Sequence, residues 1–174
     1  GPTRLAPDDA QIADLFGTAV DTDGTYVAVS AINHDSTAEQ TPKFGAKEGA
    51  GCVYVYRWDS GTSQFDLDGQ LFADDAVTFT QLGAAVRISG GKAFASSYSQ
   101  RKVYCFRRVS AGHWTQEYAL TDPEPASGTG FAASFAVAGD AVMVGDPEDD
   151  RNGSIDMGAA YAFTIDNADA GNDS

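Results

Sequence analysis

The sequence predicts an all-β protein made of β-propeller blades, and a threefold internal repeat is the main reason. A leucine is followed eleven residues later by a pair made of an apolar and a small residue, at Leu5, Leu71 and Leu120. Each copy also contains a strand that carries a tyrosine. These tyrosines are Tyr54, Tyr104 and Tyr161. A fixed register over three copies indicates a repeat architecture.

The first two strands of each copy form a predicted hairpin. They are separated by dipeptides that accept positive φ, as a tight two-residue turn requires. These dipeptides are Asp23-Gly24, Gly90-Gly91 and Gly139-Asp140. The second strands follow at once, at residues 26–29, 93–95 and 141–144. A loop of variable length then leads to the tyrosine strand.

An amphipathic fourth strand completes copies one and two. It contains an aromatic residue and a leucine six residues apart, Phe65 with Leu71 and Trp114 with Leu120. Because side chains alternate along a strand, this even spacing predicts that both residues point to one face. Four antiparallel strands per unit are the layout of a β-propeller blade. The third copy has no such pair after Phe163.

The register divides the chain into five predicted segments. Residues 1–15 form the end of a preceding outer strand and a connector, 16–75 blade one, 76–124 blade two, 125–163 a third blade without its outer strand, and 164–174 a tail. Propellers close with about four to eight blades, so three blades predict an incomplete or self-associating propeller. Its open edges favour adjoining blades of a longer chain or a second copy in a C₂ arrangement.

Composition excludes several functions. The formal net charge is −14 and the pI is about 4.2, which disfavours binding to nucleic acid or to an anionic membrane. No apolar run approaches the roughly 20 residues that span a bilayer. Two cysteines are too few for a disulfide scaffold. The register places Cys52 and Cys105 on opposite faces of equivalent strands, which predicts two free, buried thiols.

The repeats resemble the FG-GAP repeat. Phe16-Gly17 with residues 51–56, and Phe131-Ala132 with residues 142–147 and 158–163, carry this resemblance. Copy two departs from it, with Leu82 in place of the phenylalanine and Ser96-Ser97 where the family has Gly-Ala-Pro. The FG-GAP repeat is the blade unit of the integrin α-subunit N-terminal propeller and of many bacterial and protist surface proteins. The resemblance implies an extracellular or cell-surface propeller for adhesion or for binding a protein or glycan.

One acidic loop is a candidate calcium site. Its predicted ligands are Glu148, Asp150, Asn152 and Asp156. Calcium takes six to eight oxygen ligands from flexible loops of this kind. The alternative interpretation is an acidic, Asn-Gly-containing turn without a metal. No other cofactor is predicted.

The longest loop between strands lies in copy one and is the predicted ligand-binding rim. Functional residues concentrate on loops that a rigid scaffold carries. The rim candidates are Asn33, His34, Asp35, Lys43, Phe44 and Lys47, with Trp58 as a stacking residue. A tolerated surface insertion is the alternative. His34 beside Asp35 suggests acid–base chemistry, but no serine or cysteine nucleophile stands near them.

Three functions are compatible with these patterns. The leading hypothesis is a non-catalytic adhesion or ligand-recognition module, with no catalytic residue. The second is a structural or oligomerisation module that closes a propeller through its open edges. The third is the propeller of an enzyme whose catalysis lies on another domain.

Overall fold

The computed structural model describes residues 3–43, 45–125, 130–150 and 154–165, and these ranges contain eleven β-strands in three antiparallel sheets. Blade 1 consists of β1 (Phe16–Thr22), β2 (Tyr26–Ala31), β3 (Cys52–Asp59) and β4 (Gln64–Leu71). Blade 2 consists of β5 (Val86–Ser89), β6 (Lys92–Ser97), β7 (Lys102–Ser110) and β8 (His113–Thr121). Blade 3 consists of β9 (Ser134–Ala138), β10 (Ala141–Asp146) and β11 (Ala159–Thr164).

The predicted fold class is confirmed. In each blade the strands follow the chain order, so every neighbouring pair is antiparallel and sequential, as in a propeller blade. The three sheets do not close into a ring. None of the described segments is a helix that could cross a lipid bilayer.

The β1–β2 turn shows how local chemistry forms the predicted hairpins. Gly24 has a φ of +89°, a left-handed conformation that glycine adopts without a steric penalty. Asp23 Oδ1 accepts hydrogen bonds from the backbone N–H groups of Thr25 and Tyr26, both at 2.9 Å. The carboxylate therefore satisfies backbone donors that the short turn leaves without a ladder partner.

Each blade has two faces that pack on different neighbours. We call the side that carries Tyr54, Tyr104 or Tyr161 the tyrosine face, and the other side the back face. The back face of blade 1, with Ala28 and Val55, shares one hydrophobic core with the tyrosine face of blade 2. The back face of blade 2 forms a second core with the tyrosine face of blade 3 in the same way. Blades 1 and 2 therefore pack together in the same way as blades 2 and 3.

In each blade the hydroxyl of this tyrosine donates a hydrogen bond to an aspartate carboxylate. The hydrogen bonds are Tyr54 to Asp9 at 2.9 Å, Tyr104 to Asp75 at 2.8 Å and Tyr161 to Asp149 at 2.6 Å. Burial, with a contribution from the neighbouring carboxylate, raises the pKa of Tyr54 and of Tyr104. Both phenols therefore stay protonated donors that attach a connector to its blade.

The prediction that the aromatic residue and the leucine of the fourth strand share a face is wrong. Phe65 pairs with Trp58 and Leu71 pairs with Val53, which lie on opposite faces of β3. The cause is a β-bulge at Asp68, where the β3–β4 register shifts by one residue. The β7–β8 pair shifts likewise, so Trp114 packs toward blade 1 and Leu120 toward blade 3.

The bulged Asp68 joins blade 1 to blade 2. Its carboxylate accepts two hydrogen bonds from Arg108, at 2.7 and 2.8 Å, and one from Trp114 Nε1 at 2.9 Å. The Asp68 side chain is 8% exposed. A buried carboxylate with this many charged and neutral donors holds β4 of blade 1 against β7 and β8 of blade 2.

The two cysteines are free and buried, as predicted. Cys52 lies on the tyrosine face of β3, two residues before Tyr54, and Cys105 lies on the back face of β7 beside Tyr104. They belong to different blades, and each packs in a hydrophobic core.

Candidate ligand-binding rim

The rim loop, residues 32–51, is held by its own backbone. Ser36 and Lys47 form a β-bridge, with Ser36 N–H donating to Lys47 O at 2.9 Å and Lys47 N–H to Ser36 O at 3.2 Å. Thr41 Oγ1 donates to the carbonyl oxygen of Gly45 at 2.7 Å. These bonds hold the two sides of the loop together on either side of its tip.

The end of the rim loop is bound to the connector that leads into blade 2. Backbone N–H groups of this connector donate to loop carbonyls at three successive points. They are Phe79 to Glu48 at 2.8 Å, Gln81 to Gly49 at 2.9 Å and Leu82 to Ala50 at 3.0 Å. The rim of blade 1 and the entry to blade 2 therefore form one continuous surface.

The start of the rim loop is bound to the connector that precedes blade 1. His34 Nδ1 lies 2.8 Å from Asp14 Oδ2, and both side chains are buried. Asn33 donates to this connector twice, from its backbone to Asp14 O at 3.2 Å and from Nδ2 to Ala13 O at 3.3 Å. The His34–Asp14 pair thus holds the connector in place beneath the rim.

A cavity of about 420 Å³ opens where these three segments meet, and we call it the rim pocket. Its lining residues are Gln11, Ile12, Ala13, Asp14, Asn33, Asp35, Glu48, Gly49, Phe79 and Gln81. Ile12 is fully exposed and Phe79 is 54% exposed. The pocket therefore combines carboxylates and side-chain amides with two accessible apolar side chains.

The structure brings only part of the predicted rim together. Asn33 and Asp35 line the rim pocket, whereas His34 is buried beneath it. Lys43 and Lys47 belong to the loop but do not line the pocket, and Phe44 lies outside the described residues.

Trp58 is remote from the rim loop. It lies six residues beyond Cys52 on β3, roughly 20 Å along the strand at the usual rise per residue. It contacts Phe65, with ring centroids 5.0 Å apart, on the tyrosine face of blade 1. Trp58 therefore cannot act at the same site as Asn33 and Asp35.

Comparison with protein families identifies these blades. A family model described as FG-GAP repeat matches residues 3–56 and 114–163, which together make up more than half of the chain. The chain belongs to the FG-GAP repeat family. The resemblance in the sequence is thereby confirmed. A comparison with curated proteins found no significant match.

The geometry explains the Phe-Gly pair of the FG-GAP repeat. Phe16 packs edge-on against Tyr54, with ring centroids 5.5 Å apart, and Phe131 packs against Tyr161, with ring centroids 5.8 Å apart. Each phenylalanine therefore covers the tyrosine of its own blade. The following residue has a positive φ in all three blades. These φ values are +95° for Gly17, +104° for Gly83 and +71° for Ala132.

Blade 2 has the same strand arrangement as blade 1 although it lacks the Phe-Gly pair. The matched ranges omit residues 57–113, in which Leu82 replaces the phenylalanine. Leu82 is nevertheless fully buried in the core shared by blades 1 and 2. An apolar residue that fills the same position is sufficient for the packing, although it weakens the sequence signal.

Several lining residues of the rim pocket were not predicted. Ile12, Phe79 and Gln81 belong to the connectors between blades, which carry no motif of their own. A signal was present in the repeat Leu-x-x-Asp-Asp-Ala, which begins at Leu5 and again at Leu71. Its second aspartate is the tyrosine partner of blades 1 and 2, so it fixes where each connector runs.

The structure describes only part of the acidic loop. Glu148 accepts a hydrogen bond from Tyr98 at 3.2 Å, and Asp150 Oδ1 accepts one from the Asp156 backbone at 2.8 Å. Asn152 lies outside the described residues. Within the described ranges, no three His, Cys, Asp or Glu side chains are arranged to hold a metal ion. Calcium binding by this loop stays a prediction from the sequence.

A buried carboxylate lies just before this loop. Asp146 ends β10 with a fully buried side chain, and its Oδ1 accepts a hydrogen bond from Glu148 N–H at 3.2 Å. Oδ2 has no hydrogen-bond partner among the described residues. Burial, together with the nearby carboxylates Asp122 and Asp149, raises the pKa of Asp146.

We expect Asp146→Asn to raise the free energy of unfolding by about 1–3 kcal/mol at pH 7, because the change removes an incompletely paired buried charge. The asparagine oxygen can still accept the Glu148 N–H. A carboxyl with a raised pKa binds its proton more tightly when folded, so the wild type gains stability as pH falls through that pKa. The difference between variant and wild type should therefore shrink in acid.

Chemical denaturation at pH 7 and at pH 4 measures this effect. Asp66→Asn, at an exposed carboxylate on β4, is the control and should change stability by less than about 0.5 kcal/mol. A destabilised Asp146→Asn protein at pH 7 would show that Asp146 has a favourable partner.

Proposed function

We propose that this FG-GAP module is a non-catalytic recognition module of the cell surface or extracellular space, and that the rim pocket is its ligand-binding site. The observation that carries the proposal is the convergence of three chain segments, the rim loop of blade 1 and the two connectors, on one pocket. Binding sites form preferentially in clefts between structural units.

The chemistry of the rim pocket favours a protein ligand with a positive charge beside an apolar group. Asp35 and Glu48 supply carboxylates, and Ile12 and Phe79 supply exposed apolar surface beside them. A lysine or arginine with an adjacent apolar side chain matches this combination. The net charge of −14 would also attract a basic partner over a distance and increase the rate of encounter.

Hydrogen bonds within the protein fix the lining of the rim pocket, which supports a binding role. Asp35 Oδ1 accepts the Gly49 backbone N–H at 2.7 Å, and Gln81 Nε2 donates to Asn33 Oδ1 at 3.2 Å. These bonds fix lining residues from both sides of the pocket. A site whose residues are already fixed loses less conformational entropy when a ligand binds.

The burial of His34 and of both cysteines also supports a non-catalytic role. His34 is buried and hydrogen-bonded to Asp14 rather than exposed beside Asp35. Burial raises the pKa of Cys105 to about 11 and raises that of Cys52. Both thiols are therefore protonated at neutral pH, whereas the thiolate is the nucleophilic form.

A peptide-and-glycan binding screen tests the proposal. The probes are immobilised peptides that carry Lys or Arg next to Leu or Phe, their Glu-substituted counterparts, and a set of neutral glycans. We expect wild-type protein to retain the basic–apolar peptides and Glu48→Lys to bind them at least about tenfold more weakly, since a repulsive charge replaces an attractive one. Phe79→Ser should weaken binding to a similar extent.

Glu39→Lys is the matched control, because Glu39 is an exposed glutamate of the same loop that does not line the pocket. Its affinity should stay within about twofold of wild type, apart from a salt-dependent effect of net charge. Equal losses in Glu39→Lys and Glu48→Lys, or selective retention of neutral glycans, would contradict the proposed ligand. Point variants are preferable to loop deletion because residues 48–50 pair with the second connector.

A further inference from the structure

A second cavity lies between blades 1 and 2, beside their outer strands β4 and β8, and we call it the interblade groove. Its volume is about 250 Å³, and it shares no lining residue with the rim pocket. Besides three buried apolar residues, its lining consists of Gln40, Gln70, Asp74, Trp114, Thr115 and Gln116. All of these residues belong to blade 1, blade 2 or the connector between them, so the groove is a feature of two neighbouring blades.

The polar lining of the interblade groove does not follow from the repeat. Gln116 occupies the strand position that Leu67 occupies in blade 1, and Gln70 occupies the position that Ala119 occupies in blade 2. The third glutamine, Gln40, comes from the rim loop, which is much longer than its counterpart in blade 2. The packing of one blade on the next therefore does not require three side-chain amides at this place.

Hydrogen bonds fix the three glutamines and leave donors available. Gln40 Nε2 donates to Gln70 Oε1 at 3.1 Å, and Gln70 Nε2 donates to Asp9 Oδ2 at 2.7 Å. Gln116 Oε1 accepts the Asp74 backbone N–H at 3.0 Å, whereas its Nε2 has no hydrogen-bond partner among the described residues. Because an amide nitrogen carries two hydrogens, each glutamine can supply at least one further donor.

Asp74 and Trp114 complete the chemistry of the groove. The Asp74 carboxylate is exposed and accepts no hydrogen bond from the part of the chain that the structure describes. Lys43 lies near this carboxylate, so a further cation would gain little there. The indole N–H of Trp114 is bound to Asp68, so the ring presents its apolar part to the groove. The groove therefore combines amide donors, a carboxylate acceptor and an aromatic surface.

We propose that the interblade groove binds one ring of a neutral sugar, as a second ligand site separate from the rim pocket. A sugar hydroxyl both donates and accepts, so adjacent hydroxyls donate to Asp74 and accept from Gln116. The apolar C–H face of the ring packs on the indole of Trp114. The carboxylate disfavours an anion in the same place. The volume suits a single ring, since drug-sized ligands occupy sites of about 300–1,000 Å³.

Tryptophan fluorescence of the whole chain in solution tests the groove. Trp58→Phe removes the other tryptophan, so Trp114 alone reports in this protein. The probes are glucose, galactose, mannose and N-acetylglucosamine. We expect at least one of them to change the signal with a Kd of about millimolar, because a ring of few atoms in an open groove binds weakly. Binding of this strength is too weak for a retention screen, so the result is independent of the test of the rim pocket.

Two variants of the reporter protein remove the proposed contacts. Gln116→Leu, which gives blade 2 the residue that blade 1 has, should weaken sugar binding about threefold to tenfold, the usual effect of one lost hydrogen bond. Asp74→Asn should weaken it by a similar factor, because a neutral amide replaces the charged acceptor. Since Asp74 is exposed, this variant keeps the test valid if thermal unfolding shows that Gln116→Leu does not fold.

Two controls define the site. Gln64→Leu changes an exposed glutamine of β4 that does not line the groove, and Glu48→Lys changes the rim pocket alone. Both should bind sugar as tightly as the reporter protein does. The proposal would be overturned if none of the four sugars changed the signal well above millimolar concentration, or if the groove variants bound as tightly as Gln64→Leu. A loss of sugar binding in Glu48→Lys would equally overturn it, because the sugar would then occupy the rim pocket.

Discussion

Replacing Asp68 by alanine is expected to lower the free energy of unfolding by about 1–3 kcal/mol, the cost of leaving charged and neutral hydrogen-bond donors without their acceptor. The substitution removes the acceptor for Arg108 and for Trp114 Nε1. Both donors lie between blades 1 and 2 and are partly buried. Chemical denaturation of the variant and the wild type measures the difference.

The matched control is Asp66→Ala. Asp66 is an exposed carboxylate on the same strand, two residues before Asp68, and its removal should cost less than about 0.5 kcal/mol. The double variant Asp68→Ala with Arg108→Met should recover part of the loss, because the unpaired guanidinium is gone. Equal effects of Asp66→Ala and Asp68→Ala would refute the role of the pair.

The contribution of Asp68 should also depend on pH. Burial alone would raise the pKa of Asp68, but hydrogen bonds from Arg108, Trp114 and Gly112 N–H outweigh it and hold the pKa below its ordinary value. A carboxyl with a depressed pKa stabilises the folded state above its unfolded pKa of about 3.9, and this stability is lost as pH falls through the folded pKa. The difference between wild type and Asp68→Ala should therefore narrow only below about pH 4.

Gly51→Ala is expected to destabilise the protein by about 2–5 kcal/mol. Gly51 has a φ of +73°, which costs a residue with a side chain about 1–2 kcal/mol. A Cβ at this position would also clash with the backbone N and O atoms of Leu82, and overpacking typically adds about 1–3 kcal/mol. The connector cannot easily move away, because Leu82 N–H is bonded to Ala50 O at 3.0 Å.

Gly45→Ala separates the two contributions. Gly45 has the same φ of +73°, but nothing lies within 4 Å of a Cβ built on it. This variant should lose only the conformational part, about 1–2 kcal/mol. The difference between the two variants in thermal and chemical unfolding then measures the contact between the rim loop and the second connector. Equal losses would show that this contact can relax.

The sequence was a good guide to what is local or periodic. The register of Leu5, Leu71 and Leu120 predicted three repeats, and dipeptides such as Asp23-Gly24 predicted the hairpins. Both signals come from short-range physics, namely strand alternation and the φ preference of glycine. The FG-GAP resemblance followed from the same positions, since Phe16 and Gly17 pack and turn within their own blade.

The fourth strand shows where this reasoning fails. Even spacing put Phe65 and Leu71 on one face, but the bulge at Asp68 inserts a residue and reverses the alternation. The sequence gives no sign of a bulge unless the partner of Asp68 is known, and that partner, Arg108, lies in the next blade. The prediction from the sequence therefore assigned Phe65 and Leu71 to the same neighbouring surface, although they face opposite ways.

The candidate site was predicted in the same partial way. Loop length pointed to Asn33 and Asp35, which do line the rim pocket. Ile12 and Phe79, which give the pocket its apolar part, are distant in sequence and come close only when the two connectors pack beside the loop.

By itself, the sequence determined the repeat, the class of fold and the acidic character of the protein, because each depends on composition or on spacing along one strand. Only the tertiary structure decided which blade faces pack on each other, where the rim pocket lies, and that Trp58 is remote from it. These features depend on contacts between blades, and in such contacts a one-residue bulge or a buried carboxylate changes the neighbour that a side chain meets.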